Sequence, residues 1–207
     1  MYNLIRKDFI AMRWYLLFVL GYAVFFGTFS GFPVFSPIMI ITLPAVMMTL
    51  FAANIELRNK TMMFVGTLPV RRKQIVLAKY ISIFLYLAVG LILLVIVHLV
   101  NEYIIHQSFP ITVLSLIVSA GIAMTYSALY FPIQFLLGVK SSNIVSFISI
   151  FLMIFLISLI GNVADKATEF NWPILPIMIG LPVAAIILMY LSYRLSLSIF
   201  RRKDMEG

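Results

Sequence analysis

The chain has 207 residues, of which 63% are apolar and only 11% charged, with a net charge of +8, a pI near 9.8 and a mean hydropathy of +1.11. A soluble domain carries about a quarter charged residues, so this composition excludes one. The basic balance does not point to nucleic acid either, because no basic surface with interleaved aromatics lies outside the segments that flank the apolar runs.

Residues 1–13 place Ile5, Phe9 and Met12 on one helical face, with Arg6, Lys7 and Asp8 elsewhere. This pattern predicts a helix lying in a membrane interface and feeding a first span. The apolar stretch that follows is longer than the core of a signal peptide, and no small-residue cleavage site comes after it, so no leader is expected. No Asp, Glu, Lys or Arg occurs in 14–55, 80–101, 103–139, 141–164 or 170–193. Each window exceeds the roughly 20 residues of helix that cross a hydrocarbon core, where backbone groups must be satisfied within the segment. None alternates as a barrel strand does.

Gly31, Pro33, Ser36 and Pro37 mark a hairpin turn that divides the first window into spans of about 14–32 and 36–55. A third span covers about 80–100. After the polar stretch Tyr103–Pro110, one long helix over 111–138 is expected, with Pro132 as a point for a kink. The last two spans are 144–162 and 174–195. The prediction is an all-α integral membrane protein with six transmembrane helices, forming a single domain over 1–207.

Charge asymmetry supports that count and orients it. With six spans and both termini cytoplasmic, the inner segments hold Arg6, Lys7, Arg13, Arg58, Lys60, Arg71, Arg72, Lys73, Lys79, Lys140, Arg194, Arg201, Arg202 and Lys203, and the outer segments hold Lys166 alone. Splitting 103–139 into two helices, or keeping 14–55 as one, spreads the cations over both sides. The excess of cations on cytoplasmic loops therefore selects six.

The largest cytoplasmic piece runs from Glu56 to Lys79. Asn59 or Thr61 can cap a short helix carrying Met62, Met63, Phe64 and Val65; Gly66 ends it, and Pro69 opens a second helix leading into the third span. An apolar knob flanked by cations calls for a partner surface or the bilayer interface. The stretch Thr67-Leu68-Pro69-Val70-Arg71-Arg72-Lys73-Gln74-Ile75-Val76-Leu77-Ala78-Lys79-Tyr80 resembles the permease subunits of ABC-2-type bacterial exporters, in the short branch that includes permeases of amphipathic-peptide (phenol-soluble modulin) exporters. The surrounding plan is similar to theirs as well: an N-terminal interfacial helix, six spans, and the longest inner loop between spans two and three.

The resemblance implies a multi-pass protein of the bacterial cytoplasmic membrane, paired with a second permease, the same or related, and with two copies of an ABC ATPase. The loop would be the coupling helix, with Thr61, Met62, Met63, Phe64, Val65 and Thr67 docking on the ATPase and Glu56, Arg71, Arg72 and Lys73 flanking the contact. ATP and Mg would be bound by the ATPase, and no cofactor by this chain. Family members often carry helices re-entering the outer leaflet between spans five and six; here that link is only Val163–Pro173, so such an element is shortened or built from Trp172–Pro176.

The remaining polar residues divide into bland and functional readings. The run Gly138-Val139-Lys140-Ser141-Ser142 lacks the glycines of a nucleotide-binding loop and reads as a turn. His98, Glu102 and His106 would stack on one face of a continuous helix, where an outer polar rim is favoured over a metal or proton site. The 12 methionines, Met47 and Met48 among them, suit flexible packing better than soft-metal transport. Thr125 and Gln134 in span four fit interhelical hydrogen bonding or a substrate path. Asn54 and Glu56 are either snorkelling ends or part of a gate toward the ATPase. The scarcity of charge within the spans suits an amphipathic or hydrophobic substrate, such as a peptide. The rivals are a non-transporting accessory or immunity protein, and an ATP-independent secondary carrier, which would need charges at the midplane.

Overall fold

The structure is a computed structural model that describes residues 2–29, 35–59, 72–106, 111–137 and 174–202, together with the helical positions Ile144, Phe147, Ile148, Phe151 and Phe155. The regular structure of the described residues is helical, with six α-helices: α1 (Tyr2–Ala11), α2 (Arg13–Phe29), α3 (Phe35–Arg58), α4 (Arg72–Val100), α5 (Val113–Leu137) and α6 (Ile174–Arg202). α3, α4, α5 and α6 are each long and apolar enough to cross a membrane, and α1 with α2 makes a fifth candidate if the bent pair is one span. The expected fifth span at 144–162 and the link Val163–Pro173 lie outside the described residues, apart from the five isolated positions. Those five are all exposed.

α1 and α2 are separated at Met12 by a bend of 69°. The apolar face expected on α1 turns toward the bundle: Met12 is fully buried and Phe9 packs on the α4 ring of Tyr86 at 5.7 Å. Asp8, expected away from that face, is buried as well. The counter-charges that accompany it are Lys7 on α1 and Lys79 on α4, described below.

α3 begins at Phe35, so Pro37 falls in its first turn, where a missing N–H costs nothing, rather than in the preceding turn. α4 begins at Arg72, about two turns before the charge-free run, because an interfacial or buried lysine does not end a helix. Beyond Val100 the chain continues into a π-helical turn, Asn101–Ile105, closed by His106 in the left-handed region at φ 56°. Histidine is among the residues that tolerate this geometry. Asn101 is buried there and donates to the carbonyls of Gly27 at 2.9 Å and Val97 at 3.0 Å, tying the end of α2 to the end of α4. In α6, residues 174–176 form the first turn of a continuous helix rather than a separate element.

The core lies where α3, α4 and α5 meet, with α5 also packed along α6. Ile40, Ile41, Val46, Met48, Val76, Ile83, Tyr126 and Tyr130 are essentially without exposure. Close approach is made by omission of side chains: the Gly90 Cα faces the Ile41 carbonyl, and Gly121 faces the Leu181 side chain. Outward-facing positions are equally apolar, including Leu17 and Phe18 on α2, Phe84 and Ile92 on α4, and Ile186 and Leu191 on α6. Apolar residues inside and out are what a bilayer solvent demands.

Candidate functional site

The described charges converge at one end of the bundle, where α1 lies across the last turns of α3 and the first turns of α4. Ala52 and Ala53 are small and buried, which lets α1 approach α3 closely. One turn on, Glu56 is 7% exposed, and its two carboxylate oxygens serve different helices. Oε1 accepts from Lys7 Nζ of α1 at 2.9 Å, and Oε2 accepts from Lys79 Nζ of α4, itself buried. Asp8 completes the group, with its Oδ1 3.5 Å from Lys7 Nζ. Two cations and two carboxylates make an electroneutral set, the condition for keeping charge out of water.

A cleft of about 110 Å³ opens beside it, lined by Lys7, Asp8, Ala11, Ala52, Ile55, Glu56 and Asn59. Burial opposes the charge on Lys7, but Glu56 and then Asp8 outweigh it and hold the ammonium pKa above the usual lysine value. Burial, reinforced by the neighbouring Glu56 carboxylate, pushes Asp8 above the usual aspartate range, against the pull of Lys79 and Lys7.

A raised carboxyl pKa means that the fold disfavours the ionised form. Asp8→Asn is therefore expected to raise the melting temperature of the detergent-solubilised protein by a few degrees at neutral pH. The gain should shrink as the pH is lowered through the Asp8 pKa, because the native carboxyl then takes up its proton. Melting curves over a pH series check this; a lower melting temperature at pH 7 would mean that the Lys7 contact outweighs burial.

The residue after Lys79 faces the other way. Ser192 Oγ of α6 donates to the Ala128 carbonyl of α5 at 2.5 Å, which uses its one proton. Tyr80 Oη must then donate to Ser192 Oγ at 2.6 Å and accept from Ser196 Oγ at 2.9 Å. At the start of α4, Arg72 Nη1 donates to the Phe200 carbonyl of α6 at 3.4 Å. The first turns of α4 thus hold α1 and α3 through Lys79, and α5 and α6 through Tyr80.

The other sequence-expected residues are dispersed. Thr61, Met62, Met63, Phe64, Val65, Thr67 and Arg71 lie outside the described residues, as does Lys140 with its turn. Lys73 is exposed beside half-buried Arg72, and Asn54 is half-buried on α3. Glu56 does not snorkel; it points inward to two lysines. Thr125 donates to the Gly121 carbonyl of its own helix at 2.8 Å. Gln134 is 1% exposed, and neither amide atom has a hydrogen-bond partner among the described residues; one turn away, the buried Tyr130 hydroxyl has none among them either.

His98 Nε2 lies 3.4 Å from a Glu102 carboxylate oxygen, but the π turn and the left-handed His106 end the helix, so the three do not form one stripe. Among the described residues no group of three or more His, Cys, Asp or Glu is placed to hold a metal. Sequence reasoning missed Lys7 and Lys79 as partners of Glu56, and Asp8 as a partner of Lys7. The signal was Lys79 itself, separated from the Arg71–Lys73 group by an apolar run, since a lone charge entering a span asks for a counter-ion.

Comparison with known proteins bears on this architecture. A search of curated proteins and one of solved structures found no match. A family model described as "ABC-2 family transporter protein" matches residues 3–201, which takes in α1, the charged cluster and all the long helices. With the match covering nearly the whole chain, this multi-pass membrane protein belongs to the ABC-2 transporter family.

Proposed function

We propose that this chain is the permease of an ABC exporter that moves amphipathic or hydrophobic peptides out of a bacterial cell. As an ABC-2 membrane subunit it has no ATPase activity of its own. In this reading the chain forms one domain of six spans with both termini in the cytoplasm. Two permeases, identical or related, enclose the path, and two ABC ATPases hold the loops between α3 and α4. ATP binding closes the ATPases, and the loops carry that movement into the spans.

The observation that carries the reading is where the loop is anchored. Residues 60–71 join α3, whose last turn holds Glu56, to α4, whose first turns hold Lys79, and these two residues are paired. Whatever grips Met62, Met63 and Phe64 therefore pulls on both helices at once. The substrate class is supported by the composition of the spans: the described ion pairs lie toward the helix ends, and long stretches of α3, α4, α5 and α6 carry no charge to select a small ion.

The test is co-expression with a candidate ABC ATPase followed by affinity purification. The native chain is expected to bring down the ATPase with vanadate-sensitive hydrolysis. Met63→Asp or Phe64→Asp should reduce recovery of the ATPase about tenfold or more, as loss of a buried anchor does, while membrane insertion is retained. Normal assembly of both variants would remove the docking assignment. In vesicles, a dansyl-labelled amphipathic peptide should be exported with ATP; export that competes with sugars and ignores the peptide would overturn the substrate class.

A further inference from the structure

α1 is not a continuation of the span it precedes. The 69° bend at Met12 lets it lie across the bundle, so its position is set by what holds it there. Two contacts do so. Phe9 packs on Tyr86, a soft contact that can slide. Lys7 shares the Glu56 carboxylate with Lys79, and that charge-assisted hydrogen bond, 2.9 Å long, is directional and breaks if α1 slides.

Glu56 is buried in the last turn of α3 before residues 60–71, and Lys79 lies in the first turns of α4 after them. A movement of the loop therefore moves Glu56 and Lys79 together, and Lys7 follows. Among the described residues Lys7 alone is ion-paired to this pair from outside α3 and α4, and its partial exposure, 32% of the side chain, leaves room for substitution without collapse of the core.

Resting on the permease reading above, we infer that Lys7 is a positioning residue of the transport cycle: through Glu56 it makes α1 a moving arm of the loop between α3 and α4, so that ATP-driven motion reaches the membrane interface through α1 as well as through the spans. Lys7 touches neither nucleotide nor substrate. Its effect is to keep α1 in register with the loop.

The experiment uses the native permease–ATPase complex. With ATP and vanadate, hydrogen–deuterium exchange of residues 2–12 is expected to change together with that of residues 56–72. In Lys7→Met the change at 2–12 is lost while that at 56–72 persists, and Lys7→Arg restores it. Export of the dansyl peptide per ATP hydrolysed should fall about fivefold or more in Lys7→Met, the scale of an ordinary coupling energy.

Since the chain has no cysteine, Lys7→Cys with Asn59→Cys gives a second variant on the same cleft. It should be impaired when reduced and recover when the two thiols are joined by a short crosslinker. An unchanged exchange response of 2–12 in Lys7→Met, or export stopped by the crosslink, overturns the inference and leaves the permease reading standing. Failure of the native chain to bind any ABC ATPase would instead remove the permease reading and this inference with it.

Discussion

Replacing Glu56 with Ala is expected to destabilise the purified protein by about 3–5 kcal/mol, the scale of removing one partner from a buried ion pair. The magnitude follows from what remains. Lys79 is 7% exposed, and its ammonium would lose the carboxylate it contacts, with Asp8 acting on it without a direct contact. Asp8 already interacts with Lys7 and is poorly placed to replace Glu56, since burial favours its neutral form.

The double replacement Glu56→Leu with Lys79→Leu is expected to recover most of the loss, because an apolar pair of similar volume needs no desolvation. Lys7 can then turn into the open cleft and keep its hydration. Equilibrium denaturation in a detergent series measures both. A Glu56→Ala protein within about 1 kcal/mol of native, below the usual range for such losses, would mean that water reaches Lys79.

The second large effect concerns a single methyl group. A Cβ on Gly90 would stand 2.7 Å from the Ile41 carbonyl oxygen and 3.1 Å from its Cα. Both are backbone atoms in the middle of α3, which also packs on α5 and cannot retreat freely. Gly90→Ala is therefore expected to cost about 1–3 kcal/mol by overpacking. Gly21 and Gly180 meet nothing within 4 Å, so Gly21→Ala or Gly180→Ala should instead gain up to about 1 kcal/mol from helix propensity. Opposite signs for one chemical change are the outcome sought. A falsifying result would be Gly90→Ala as stable as Gly21→Ala, since the α3–α4 contact would then be looser than drawn.

Several elements were legible because each follows from local periodicity. The spans expected at 36–55, 111–138 and 174–195 correspond to α3, α5 and α6 within a few residues, since a charge-free run of that length has few options in lipid. α1 was legible from the spacing of Ile5, Phe9 and Met12. Pro132 gave a position inside α5 without breaking it. The second helix expected to open at Pro69 and lead into the third span is described from Arg72 and is continuous with that span. One boundary moved: the helix runs past Val100 as a π turn that removes His106 from the His98–Glu102 pair. That shift is not visible in hydropathy, which registers polarity and not the hydrogen bonds that continue or end a helix.

The site was less legible than the fold. The sequence marks Glu56, but as a flank or gate of a docking loop; it places Lys7 and Asp8 only away from the apolar face of the first helix, and Lys79 among the cations of the inner loop. Pairing across 49 residues, as between Lys7 and Glu56, or across 112, as between Tyr80 and Ser192, has no local signature. It depends on which faces the helices present to one another.

The amino-acid order by itself determined that the chain crosses a bilayer, where its helices run and to which transporter family its plan is similar, because transfer of charge and unpaired backbone into hydrocarbon is costly enough to be decided residue by residue. Only the tertiary arrangement decided that one carboxylate joins α1, α3 and α4, and that Tyr80 binds α6 while Lys79 binds α3. Those choices turn on the azimuth of each helix about its axis. That angle is fixed by packing at places such as Gly90 and Ala52, not by the hydropathy of the segment.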